Sequence, residues 1–335
     1  MDLDPLSRSD KAGAEVQTRG LPEERKNRMR RILVFSVILL VAGCARETEK
    51  ATPALPDFDA WWDYDDPAAT EVKFTELLPK ARESGDQSYC AQLLTQIART
   101  QGLQREFDQA HRTLDTVAAM LTDEMIVPRI RYLLERGRVY NSSGERDKSA
   151  PLFLQAWELG VANREDFYAV DAAHMLGIVE PPEKQLEWNQ KAIELAEKST
   201  SQRARNWLGS LYNNTGWTYH DLGDYHKALD MFQRALTFRQ ERNDDEGIRI
   251  ARWTIARTYR SLGRTEEALR MQQELEKEMA EKGIQPDGYV FEEIGECLLL
   301  LDKKEESAGY FKRAYQLLSQ DPWLAANEAA RLERL

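Results

Sequence analysis

A chain of 335 residues with 42% hydrophobic, 9% aromatic and 31% charged side chains is long enough to bury a large core and too apolar for wholesale disorder. Its 46 Lys and Arg against 57 Asp and Glu give a net charge of −11, which argues against a general electrostatic attraction to nucleic-acid phosphates or anionic lipid headgroups. Only 12 Pro and 18 Gly interrupt the chain, which favours helices. Three Cys and four His exclude a disulfide framework and leave little material for a metal cage.

The first 43 residues read as an export signal, with translation from Met29 as a shorter alternative start. Arg25, Lys26, Arg28, Arg30 and Arg31 precede the apolar run Ile32 to Gly43. At 1.5 Å per residue that run makes about 18 Å of helix, too short for a permanent span of a hydrocarbon core about 30 Å thick. Val41-Ala42-Gly43-Cys44 resembles the lipobox of bacterial lipoproteins, in which the cysteine is acylated and becomes the mature N-terminus. The resemblance implies a membrane anchor on Cys44, and Ala45 in place of Asp favours the outer membrane facing the periplasm. Removing residues 1–43 takes away eight basic and six acidic side chains and leaves a net charge of −13, so the lipid must do the anchoring.

Residues 44–69 then form a tether. Thr52-Pro53 and Leu55-Pro56 resist helix. From Asp57 to Pro67, four aromatics (Phe58, Trp61, Trp62, Tyr64) alternate with five Asp. Exposed aromatic clusters are disfavoured on soluble surfaces, so this segment is expected to dock on the first helices. A second reading places it in the inner groove as a built-in ligand, its rings near Trp217 and Trp253.

Over residues 70–320 the sequence repeats. A small residue, a large one three later, a small one at twelve, a large one at sixteen and a small one at nineteen recur as Gly137, Tyr140, Ser149, Phe153, Ala156; as Gly216, Tyr219, Ala228, Phe232, Ala235; and as Gly295, Leu298, Ser307, Phe311, Ala314. Weaker copies begin at Ala98, Ala173 and Ala256, the latter two with polar Asn189 and Gln272 at the sixteenth offset. Offsets of three and four share a helical face, and small residues there let backbones approach. Gly144, Gly223 and Gly263, each seven after the first small residue, are expected to end the first helix of a pair in a left-handed cap. Six antiparallel hairpins that cannot bury their apolar faces alone must stack. Thr70 to Glu83 reads as a leading helix and residues 321–335 as a capping helix.

This pattern, strongest over residues 212–236, resembles the tetratricopeptide repeat family. The resemblance implies an all-α, right-handed superhelical solenoid that binds other proteins, without cofactor and without catalysis. Periods of 36 to 43 residues between copies exceed the family's usual length.

No phosphate-binding loop, dinucleotide fingerprint or hydrolase signature is present in the sequence. His220 and His226 flank a glycine turn and are read as hydrogen-bonding groups rather than metal ligands. Cys90 and Cys297 lie in the first and last copies, too far apart to bridge, and are expected as buried thiols.

The first helix of each pair should line the concave wall. The slot one after the first small residue reads Arg99, Arg138, His174, Trp217, Arg257 and Glu296, with Asn141, Asn213, His220, Trp253 and Arg260 adjacent. Arg and Trp are enriched at binding hot spots. The expectation is a locally cationic groove formed by these residues, Glu296 apart, which holds an acidic or carboxylate-bearing peptide. The competing expectation is that they pack between repeats. An alternative function is a subunit or chaperone-like component of a secretion or outer-membrane assembly complex.

Overall fold

The computed structural model describes residues 55–335. The leader and Cys44 lie outside them. A short 3-10 turn at Phe58–Trp61 precedes α1, Pro67–Glu83. Six antiparallel pairs follow: α2 Gln87–Leu103 with α3 Phe107–Met120, α4 Ile126–Ser142 with α5 Arg146–Asn163, and α6 Asp166–Val179 with α7 Pro182–Lys198. After the single turn α8, Gln202–Arg205, come α9 Leu208–Asp221 with α10 Tyr225–Gln240, α11 Asp245–Ser261 with α12 Thr265–Glu281, and α13 Gly288–Leu300 with α14 Lys304–Leu318. The C-terminal segment is two short helices, α15 Pro322–Asn327 and α16 Ala329–Arg334, where one was expected. Glu328 departs from helical dihedrals between them (φ −128°, ψ 37°). No strand occurs among the described residues.

Local chemistry explains where the helices begin and end. Asp66, Asp86, Asp224 and Asp244 each accept the backbone N–H of the third residue of the helix they precede, satisfying donors that have no intrahelical partner. The acidic run Asp244-Asp245-Glu246 is thus a cap plus two first-turn carboxylates, and Glu305-Glu306 supply first-turn carboxylates to α14, which has no side-chain cap. The left-handed cap occurs where the spacing puts it, at Gly144, Gly223 and Gly263 with φ of 89°, 78° and 76°. The same offset in the first and last copies is left-handed too, but held by Arg105 and Asp302. Only the third copy lacks it: Glu180 (φ −71°) runs extended into Pro181-Pro182.

The repeat template has a steric cause. A Cβ added at Gly137 or Gly216 would lie 2.5 Å from the ring of Phe153 or Phe232, and one at Gly295 would lie 2.8 Å from Phe311. Glycine on the first helix therefore admits phenylalanine from the second. Where that position is alanine (Ala98, Ala173, Ala256), the facing side chain is Leu114, Asn189 or Gln272. The two polar residues are buried, and Gln272 Oε1 has no hydrogen-bond partner.

Candidate functional site

The inner wall is built from the first helices of the pairs, and its polar side chains form a ladder. The residue one after the template's first position meets the residue two before that position in the next copy. Arg99 pairs with Glu135 at 3.3 Å, Arg138 with Asp171, and Arg257 with Glu293 at 2.5 Å; His174 Nδ1 lies 3.5 Å from Asn214 Nδ2. Glu135 also takes Arg138 at 2.7 Å, and Glu293 takes Arg260 at 2.8 Å. Burial opposes the charge of Glu293, but Arg257 and Arg260 outweigh it and hold the carboxyl below its ordinary range. In the fourth copy the ladder turns aromatic: Trp217 packs against Trp253 with centroids 5.9 Å apart and against Phe232 at 5.3 Å. The rung ends on the C-terminal helices, where Arg331 pairs with Glu292 and Arg334 with Glu296.

These pairings correct the expectation of a cationic groove. Arg99, Arg138, Arg257 and Arg260 are largely buried and matched by carboxylates of the same stack. Arginine charge on one slot is balanced by acid on another, because leaving a guanidinium unpaired in the interior is costly. Of the remaining expected contact residues, Asn213 donates to Asn214 at 3.5 Å, buried His220 lies 2.9 Å from Ser261 Oγ, and Asn141 is part-exposed. His220 is thus a hydrogen-bonded wall residue.

The acidic and aromatic segment, hereafter the arm, docks against α1, α2, α4 and the single turn α8. Phe58 (5% exposed) and Trp62 (4%) enter the core, edge-on to Phe74 at 6.1 and 5.4 Å, and Phe58 also meets Tyr89 at 5.1 Å. The Trp62 indole donates to Gln96 Oε1 at 3.0 Å, so the arm occupies the rung that an earlier repeat would fill. Tyr64 stacks on Trp62 at 4.5 Å, and Arg99 lies over both rings. Asp59 pairs with buried Arg131 of α4 and lies 3.5 Å from Arg203. Burial pushes the Asp59 carboxyl up, but Arg131 and then Arg203 more than offset this and its pKa falls below the usual carboxylate range. Docking on the first helices is therefore observed, together with cover of the N-terminal part of the inner wall. The rings lie near Arg99 and Phe74 rather than against Trp217.

A cavity of about 1670 Å³ opens between the arm and α1 on one side and α11 to α14 on the other. Trp61 and Tyr64 line the first wall; Ile250, Trp253, Tyr289 and Leu317 line the second. The carboxylates at its surface are Asp63, Asp65, Glu76, Glu246, Asp287 and Asp321. Its cations are Lys73, Lys80, Arg249 and Arg239, the last paired with Asp244 at 3.4 Å. Among the ten residues expected to contact a partner, Trp253 lines this cavity.

Cys90 and Cys297 are buried free thiols. Burial pushes Cys297 up to about 12, which makes it inert as a nucleophile at neutral pH. No group of three or more His, Cys, Asp or Glu is placed to hold a metal among the described residues, and none of their helices is long and apolar enough to cross a membrane.

Sequence reasoning missed Gln96, Glu135, Asp171 and Glu293, which sit two before the template's first residue in four copies. Reading that slot beside the arginine slot would have exposed the ladder. Arg131, seven residues before Arg138, shares its helical face and was equally open to that reading.

Residues 183–241 and 222–277 match the sequence profile described as "Tetratricopeptide repeat". No curated protein sequence matches the chain. Among solved structures, a signal transduction ATPase with a tetratricopeptide repeat sensor from Pyrococcus horikoshii superposes with a TM-score of 0.62 at 14% identity, covering 83% of this chain and 44% of that one. The apo form of RapI gives 0.62 at 12%, covering 77% and 73%. NprR in complex with its cognate peptide NprX gives 0.51 at 13%, covering 78% and 80%. With the profile match and the helix pairing, these similarities identify the fold as an all-helical solenoid of tetratricopeptide repeats.

Proposed function

We propose that this chain is a non-catalytic scaffold that holds a polypeptide segment of a partner protein in the cavity between the arm and the C-terminal repeats. The observation that carries the reading is the cavity itself. At about 1670 Å³ it exceeds the roughly 300–1,000 Å³ of small-molecule sites, and it is walled by aromatic and aliphatic side chains with a mixed-charge rim. The similarity to NprR, which was solved with a bound peptide, supports it as analogy of fold. An acidic partner is not favoured, because the inner-wall arginines are already paired and the rim carries more carboxylates than cations. Dedicated service as a subunit of a secretion or assembly complex gains no specific support from the geometry.

The reading includes a location. The basic stretch, the short apolar run and Cys44 support a lipid anchor in a bacterial envelope, with Ala45 favouring the outer membrane. Fatty-acid labelling of the full chain, lost in Cys44→Ser together with membrane fractionation, is the expected result; unlabelled wild type would overturn the anchor. For the binding site, a photo-crosslinking residue at Ile250 should capture a polypeptide, whereas one at Leu154, exposed on the second helix of its pair, should not. Equal capture at both positions would move the site out of the cavity.

A further inference from the structure

The arm has two sets of side chains with different fates. Phe58 and Trp62 are spent on the core, and Asp59 on Arg131, where it supplies a carboxylate from outside the repeats. Arg99, Arg138, Arg257 and Arg260, by contrast, take theirs from within the repeats. A segment held by two buried rings and a buried ion pair is not poised to leave when a partner arrives. Of its other side chains, Trp61, part-buried, and Asp63, exposed, both line the cavity, together with Tyr64 and Asp65. The same cavity is lined by α11, nearly two hundred residues further along the chain.

We propose that the arm is a fixed wall of the binding site rather than a competitor for it, and that the site takes a basic, apolar segment of a partner protein. One Lys or Arg side chain of that segment sits against Trp61 and Asp63, and an apolar side chain against Ile250. The proposal rests on the reading that the cavity is the partner site, and adds to it the composite origin of the site and the charge of its occupant. Charge complementarity sets the class. The lining holds six carboxylates against four cations; Arg239 pairs with Asp244, while Asp287 and Asp321 accept the amides of Tyr289 and Leu324, so the lining remains acidic on balance. An indole face beside a carboxylate attracts a cation by both quadrupole and charge, and the aliphatic stem of Lys or Arg packs on the ring. The inference also predicts that partner binding and arm docking reinforce each other, since each buries surface the other presents.

The test is a display library of random twelve-residue peptides panned on the full chain. The recovered sequences are then synthesised and measured by fluorescence polarisation. The proposal expects Lys or Arg next to aromatic or aliphatic residues. It also expects Trp61→Ala, Asp63→Asn and Ile250→Asp each to weaken binding about tenfold. Acidic peptides overturn the proposal, as does wild-type affinity in both arm variants with loss in Ile250→Asp, a result that leaves the cavity reading standing. Wild-type affinity in all three variants, or no recovered binder, overturns the cavity reading itself. Should Trp61→Ala lower the melting temperature, Asp63→Asn decides alone, because it keeps the Oδ1 acceptor that holds the Asp65 amide at 3.1 Å.

Discussion

The two halves of the solenoid share a template and differ in what their inner walls do. In the N-terminal half, Arg99, Glu135, Arg138 and Asp171 form a continuous run of alternating charge, with Trp62 and Tyr64 of the arm over Arg99. In the C-terminal half the equivalent positions are Trp217, Thr254, Arg257 and Glu293, and the wall beside Trp253 opens onto the cavity. The same slots thus hold charge pairs along the whole N-terminal wall, whereas in the C-terminal half the rung Trp217 is a buried aromatic and only the rung Arg257–Glu293 is a charge pair. Arginine on a concave wall is therefore no mark of a ligand site until its carboxylate has been sought in the next repeat.

The largest effect that would sharpen this contrast comes from the buried anion of the C-terminal half. Glu293→Gln removes the charge shared by Arg257 and Arg260 and should cost about 3–5 kcal/mol in chemical denaturation. A loss below about 1 kcal/mol would mean that the pair behaves as a solvated surface bridge. At the other end, Trp62→Ala should cost about 3 kcal/mol, with hydrogen exchange rising over residues 57–66 while α11 to α14 keep their protection. Protection lost equally in both halves would break the comparison.

A smaller effect is expected from acid. Because the Asp59 carboxyl lies below its ordinary value in the folded chain, its contribution is complete above the unfolded pKa of about 3.9. It is lost as pH falls through the folded pKa. Arm docking, followed by tryptophan fluorescence, should therefore loosen below about pH 4, and Asp59→Asn should loosen the arm at neutral pH and remove its contribution to that step. The smallest change is expected from Gln272→Leu, which removes a buried oxygen without a partner together with the Nε2 donor to the Trp253 carbonyl at 3.4 Å, and should leave chemical-denaturation stability within about 1 kcal/mol of wild type.

The hairpin stack was legible in the sequence because the small and large residues of the template make direct contact across each pair. Gly216 against Phe232 is a steric requirement written into one repeat. The left-handed caps were legible at three glycines and hidden at Arg105 and Asp302, where the conformation is imposed on residues that do not advertise it. The inner wall was half legible. The arginine slot stood out, while its partners on the next repeat lie 33 to 36 residues away and emerge only when copies are aligned on one another. The cavity was not legible, since it depends on how far six stacked pairs curve and on an arm whose Phe58, Asp59 and Trp62 each touch a different set of helices.

The docked arm is the element on which both the sealed N-terminal wall and the composite cavity depend. Hydrogen–deuterium exchange of the full chain at neutral pH reports it directly, through the amides of residues 58–66. Exchange slowed at least about a hundredfold relative to an unstructured peptide, close to that of α2, is the predicted result. Exchange at the unstructured rate, with α2 still protected, would contradict the arm as a wall of the site.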